Sequence, residues 1–156
     1  MKREIRNSAR ALTDEMTREL LERGEFGVLS TVSKDGEPYG VPMSYAFADG
    51  KVYLHCAREG HKLDNISDVS QVCFTVVGET EVLPEKFSTK YKSAIVFGKA
   101  EILEDGEEKM QGILALMEKY SPDFLEEGRA YAERAFAKFK VIKIVPEYIS
   151  GKGRIS

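Results

Sequence analysis

Nothing in the 156 residues approaches the ~20 consecutive apolar side chains that a bilayer-spanning helix needs. The amino end, "MKREIRNSAR", sets no apolar stretch behind its positive charges, so it does not read as a secretion signal, and a cytoplasmic protein is expected. An excess of one charge is lacking too. Against 23 Lys and Arg stand 26 Asp and Glu, interleaved along the chain, giving a net charge of −3 and a pI of about 5.6. Without a broad basic face there is little counterion release to gain, so no nucleic-acid partner is expected and any phosphate must be gripped in a local pocket.

Cysteine is scarce, with only two residues. Cys56 and Cys73 lie in separate apolar, strand-like runs and form no Cys-x-x-Cys pair, which points to packed, reduced thiols and not to a disulfide. A zinc site built from His55, Cys56, His61 and Cys73 is disfavoured, because His55 and Cys56 as neighbours on one strand point to opposite faces; no metal is expected. Missing as well are a nucleophile elbow, a Gly-x-Gly-x-x-Gly after a strand, a phosphate-binding Gly-Lys-Ser and a His-Glu-x-x-His. Gly151-Lys152-Gly153 near the end has no flanking strand and helix of that kind. A chain so poor in catalytic side chains suits a cofactor that brings its own chemistry.

What is present reads as one mainly β domain over residues 1–156, since 42% hydrophobic side chains in a chain of this length make one sizeable core. Thr13 is an N-cap before Asp14 and Glu15, Leu12, Met16 and Leu20 recur every four residues, and Gly24 stops the pattern: a short helix. Six β-like runs follow, at 26–32, 39–47, 51–56, 70–77, 91–103 and 139–149. Asp35-Gly36 and Asp49-Gly50 stand at hairpin spacing, so the first three runs are expected to form an antiparallel meander. Between Gly106 and Lys138 the period becomes helical, with Met110, Ile113, Met117 and Tyr120 on one stripe and Tyr131, Ala135 and Phe139 on another, separated at Ser121-Pro122. Runs such as "VCFTVV" and "AIVFG" are apolar on both faces. A six-stranded antiparallel barrel, covered outside by helices or a second subunit, accounts for that.

Two places carry chemistry. In "HCAREGHKLDNI", Gly60, His61 and Lys62 open a short helical turn, where backbone amides, a close approach and positive charge together suit a phosphate; a plain solvated turn is the competing reading. In "YGVPMSY", Pro42 removes a ladder donor from a strand, which belongs at an edge, a bulge or a ligand site.

In order, "GEPYGVPMSYAF", "VYLHCAREGHKLDNI", "VCFTVV" and "YKSAIVFGKAEIL" resemble the pyridoxamine 5′-phosphate oxidase-like superfamily of split-barrel flavoproteins, especially the small branch related to 5-nitroimidazole-resistance proteins. The resemblance covers nearly the whole chain. It implies a six-stranded split β-barrel with an N-terminal helix and two helices before the last strand, paired as a homodimer with FMN at the subunit interface. It would lay Val41, Pro42, Met43 and Ser44 along the flavin ring and ribityl chain and set His55 and Cys56 beside the cofactor. It would place His61 and Lys62 on the phosphate, where the oxidase carries Arg-Lys, and bring Ser93, with Lys92, from the second subunit. The tail departs from the oxidase: where that enzyme has Arg-x-His for its vitamin substrate, this chain has Arg154 and then Ser156, so vitamin oxidation is not expected. An NAD(P)H-dependent reduction of a small electrophile such as a nitroaromatic is the activity the branch implies. A flavin-binding or sensing module without turnover, and a barrel using deazaflavin or haem, are the alternatives.

Overall fold

The computed structural model describes residues 2–156. The first helix, α1 (Asp14–Arg23), starts where the sequence places it: Thr13 Oγ1 accepts from the Met16 N–H at 3.1 Å, with acids in the first turn and Arg23 in the last. Two hairpins follow, β1 (Gly27–Val32) with β2 (Pro38–Met43), then β3 (Ala46–Ala48) with β4 (Lys51–Cys56). Asp49 (φ 53°) and Gly50 (φ 72°) turn the second in the left-handed conformation that a two-residue hairpin requires. Next come α2 (His61–Asp68), β5 (Gln71–Val77), β6 (Glu81–Leu83), the long β7 (Ser88–Leu103), α3 (Gly106–Tyr120), α4 (Leu125–Ala135) and the equally long β8 (Lys140–Arg154).

All pairings are antiparallel, and the strand order is β2-β1-β5-β7-β8-β4-β3, with β6 added beside the start of β7. The two ends of this path, β2 and β3, are joined by Ser44 and Tyr45 alone. Met43 and Ala46 can therefore lie no more than about 11 Å apart, which obliges the sheet to curl until its edges meet. The result is the mainly β split barrel expected, but with eight strands in place of six. Two local causes account for the difference. The run 39–47 breaks at Ser44-Tyr45 into two strands, and the irregular stretch 78–90 contains β6. The same break corrects the expected meander, because β2 and β3 stand at opposite ends of the order. Pro42 is accommodated because β2 is a terminal strand that pairs only with β1.

Inside the curl, Leu29, Tyr45, Leu54, Phe74, Val96, Ile142 and Ile144 are fully buried. A second apolar cluster lies outside, where α3 and α4 cover the outward face of β4 and β8 through Tyr53, Ile113, Leu116, Ala132, Phe139 and Val141. This is why "KVIKIV" is apolar on both faces: Ile142 and Ile144 point in, Val141 points out under the helices. The buried face of α3 is turned from the stripe read in the sequence; it holds Lys109, Gly112, Ile113 and Leu116, leaving Met117 and Tyr120 at its margin. Gly112 sets that rotation, since a Cβ there would lie 2.8 Å from the Tyr53 ring. Lys143 of β8 fastens α3 to the sheet, its ammonium 2.7 Å from Glu108 and 3.2 Å from Glu101. Gly151 and Gly153 of the tail lie inside β8 as packing glycines; a Cβ on Gly151 would collide with the Thr17 side chain.

The β7–β8 ribbon is interrupted by an irregularity between Phe97 and Gly98. A Cβ on Gly98 would lie 2.2 Å from the Val145 carbonyl oxygen, a backbone atom with no rotamer to escape into. Gly98→Ala is expected to destabilise the protein by about 3 kcal/mol, the upper end of ordinary overpacking costs, read as a lower urea midpoint with an unchanged m-value.

Candidate functional site

Because Ser44-Tyr45 belongs to no ladder, the backbone of Tyr45 needs partners from elsewhere. The C-terminal end of α3 provides them. Tyr120 Oη accepts from the Tyr45 N–H at 3.0 Å and donates to the Glu25 carbonyl at 2.6 Å, the shorter of its two carbonyl contacts, while Lys119 Nζ donates to the Tyr45 carbonyl at 2.9 Å. The Tyr45 hydroxyl is buried and donates to the Leu21 carbonyl at 2.6 Å; its pKa is raised by burial, then by Tyr120. Lys119 sits 3.7 Å from the centre of the Tyr45 ring, and desolvation lowers its pKa to about 8. This clamp holds the end of β2 at a fixed distance from α3.

Between them lies a cleft of 510 Å³. One wall is Val41, Pro42, Met43 and Ser44; His55, on the outward face of β4, and Lys62, in the first turn of α2, complete that side. Ile113, Leu116, Met117, Tyr120 and Ser121 from α3 and its end face them, with Tyr131 of α4 and Phe139. Its volume is that of a small-molecule site, and among the described residues its only charged lining group is Lys62. At its edge α2 begins at Gly60 (φ 151°), which offers no capping side chain; the first intrahelical bond is Asp64 N–H to the Gly60 carbonyl at 3.1 Å, so the amides of 61–63 precede it. His61 stacks on Tyr39 of β2, ring centres 4.0 Å apart.

Six of the ten residues singled out in the sequence thus line one cleft: Val41, Pro42, Met43, Ser44, His55 and Lys62. His61 lies next to Lys62 in the same helical turn but does not line it. Cys56 points the other way, into the barrel, as strand alternation demands; burial raises its thiol pKa, against the opposing effect of Lys62, and its Sγ lies 3.5 Å from the Lys140 carbonyl. Lys92 and Ser93 are on β7, where the Ser93 hydroxyl donates to the Lys152 carbonyl at 3.3 Å, and neither reaches the cleft of its own chain. The α3 and α4 side of the cleft is not foreseen from the sequence. Its signal was the stripe of Met117 and Tyr120 with Tyr131 and Phe139, which reads as core packing until the helices are placed. A larger hollow of 740 Å³ beside α1, lined by Arg3, Glu4, Arg18 and Glu22 among others, contains none of the residues singled out.

A curled antiparallel sheet, helices on one outward face and a cleft at the point where its edges meet define a split-barrel protein. The sequence model of the pyridoxamine 5′-phosphate oxidase family matches residues 13–153, and the chain belongs to that family. Among solved structures, a candidate 5-nitroimidazole antibiotic resistance protein from Bacteroides thetaiotaomicron is 25% identical, with a TM-score of 0.78 over 90% of this chain and 84% of that one. A FAD and haem binding protein from Mycobacterium smegmatis (19% identical, TM-score 0.80, 92% of this chain and 72% of that one) shares the fold. So does a FAD-binding protein from Mesorhizobium loti (22% identical, TM-score 0.66, 93% and 97%). No curated protein matches the sequence.

The clamp has a pH signature. Folding lowers the Lys119 pKa from 10.5 to about 8, so between those values the unfolded chain binds more protons than the folded one, and stability rises with pH. Urea unfolding at pH 8 and pH 10 is expected to show wild type gaining stability relative to Lys119→Met over that interval.

Proposed function

We propose that the chain binds FMN in this cleft, as a homodimer, and acts as an NAD(P)H-dependent oxidoreductase that reduces a small electrophile such as a nitroaromatic. The observation that carries the reading is the make-up of the cleft: an extended strand end opposite an apolar wall, with a single cation, Lys62, at the start of an uncapped helix. A flat aromatic ring system fits between Val41–Ser44 and the side chains of Leu116 and Met117, and a phosphate fits the amides of 61–63 together with Lys62. Family membership and the FAD-binding relatives support a flavin. The likeness to the candidate resistance protein supports a nitro-type acceptor.

When bound, the flavin supplies hydride transfer between a nicotinamide and the acceptor. The residues of the chain do the rest. Ile113, Leu116, Met117 and Phe139 keep water from the ring, Ser44 and Tyr131 offer hydroxyls to polar edges, and Lys62 holds the anionic end so that the ring cannot slide. The outward faces of β5, β7 and β8 support a dimer: Val77 is 55% exposed, and Phe97 and Tyr148 stack with ring centres 4.4 Å apart beside Ile95. Lys92 and Ser93 belong to that region, where they would meet the partner's cofactor and not their own. Vitamin oxidation is not proposed, because Arg154 is already engaged with the Ser88 hydroxyl and the Ser156 carbonyl.

Purified protein is expected to show an oxidised-flavin absorbance that bleaches with NADH or NADPH, and to sediment as a dimer when loaded. Deazaflavin or haem would give different spectra. Lys62→Ala is expected to weaken FMN about tenfold to a hundredfold, the value of one charge-assisted hydrogen bond of ~1.5–3 kcal/mol, while riboflavin binding stays nearly constant. Equal losses for both ligands, or none, would contradict the phosphate assignment.

A further inference from the structure

The most unusual side chain in the molecule lies just behind the cleft. Lys109 is 0% exposed, on the inner face of α3. Among the described residues it has no carboxylate within ion-pair distance; its ammonium donates to the backbone carbonyls of Glu104, at 2.9 Å, and Phe136, and lies 4.2 Å from the Phe136 ring centre and 4.7 Å from that of Phe139. Carbonyl oxygens and ring faces are the partners an ammonium favours once it is out of water. Phe139 carries the contact onward. It lines the cleft and meets His55 edge to face, ring centres 4.9 Å apart. One aromatic ring therefore separates a buried cation from the cleft histidine.

We propose that Lys109 is a positioning residue of the cleft: acting through Phe139, it fixes the orientation of the His55 ring and disfavours its imidazolium form. The charged neighbours of His55 do not oppose this. Lys62 shares the cleft from α2 and Lys109 stands behind Phe139 on α3; Lys140 opens β8 but pairs with Cys56, on the other face of β4, and Arg58 acts on Lys109, whose own pKa is lowered by burial first. The nearby acids are spent elsewhere, Glu104 on Lys140 at 3.0 Å and Glu108 on Lys143 at 2.7 Å, while Asp105 acts on Lys109 itself. Among the described residues no acid lines the cleft. Tyr53, two positions back on the same strand face, is turned to Glu108 at 3.4 Å. Burial first, and Lys109 second, lower the His55 pKa.

A neutral imidazole presents one N–H and one lone pair, whereas imidazolium presents two N–H groups and a charge. The cleft is thereby given an acceptor among its hydroxyls, and its only charge remains the Lys62 cation. The consequence for flavin chemistry rests on the function proposed above; the effect on His55 does not.

The chain has only two histidines, so His55 can be followed by NMR with His61 as the internal control. The titration is run on protein without added flavin, so failure of flavin binding and failure of this proposal remain distinguishable. The His55 midpoint is expected below the ~6.5 of a free histidine in wild type. It should shift upward in Lys109→Met and in Lys109→Gln, and return towards the wild-type value in Lys109→Arg, which keeps the charge. A purely structural role for Lys109 would leave the midpoint of the folded variants where it was, and that result overturns the proposal. If neither uncharged variant folds by near-ultraviolet dichroism in plain buffer, both are titrated in sucrose, which favours the compact state, with the same two readings, and a wild-type midpoint at or above ~6.5 overturns the proposal by itself.

Discussion

The backbone of Tyr45 is the constraint on which the rest depends. A strand that runs continuously through residues 39–47 would leave β2 and β3 on one edge; breaking it at Ser44-Tyr45 sends the chain from one end of the sheet order to the other. The break leaves an amide and a carbonyl without ladder partners, and buried groups of that kind cost ~1–3 kcal/mol each if left unsatisfied. Tyr120 and Lys119 satisfy them from α3, and the Tyr45 side chain fills the barrel against Phe74, ring centres 4.9 Å apart. One residue therefore closes the barrel, seats α3 and sets the width of the cleft between α3 and β2.

From that geometry the chemistry of the cleft follows. Its apolar wall comes from the helices that also cover β4 and β8, so the surface that packs against the sheet also lines the cleft. Its cation comes from a helix that has no capping side chain. The two lysines of α3 have separate duties: Lys119 secures the strand break from outside the cleft, and Lys109 supports its histidine from behind. Both lack carboxylate partners and rest on carbonyls and aromatic rings, which places positive charge near the cleft without adding an acid to it.

Much of this was legible in the residues. Thr13 as a cap, Asp49-Gly50 as a turn and the helical period after Gly106 are local signals, and local geometry realised each of them. Pro42 and Gly60-His61-Lys62 stood out because they break local rules, and residues that do so are often found at sites. The strand break at Ser44-Tyr45 left no such mark, since "MSYAF" is as strand-like as its surroundings; its cause is tertiary, the hydroxyl of a tyrosine 75 residues away. The rotation of α3 was equally hidden. Hydropathy gives no reason to bury Lys109, and only the two phenylalanines and two carbonyls around it make that position tolerable. The eighth strand count arose from β6, three residues in a segment whose polar composition reads as loop.

The central claim is that a flavin occupies the cleft between β2 and α3. Methyl-labelled methionine offers the most direct check, because Met43 and Met117 line the cleft whereas Met16, on α1, does not. Adding FMN is expected to shift the Met43 and Met117 methyl signals in parallel with the binding curve and to leave Met16 in place. Shifts at Met16 with Met43 and Met117 unmoved, or saturable FMN binding with none of the three perturbed, would contradict the account.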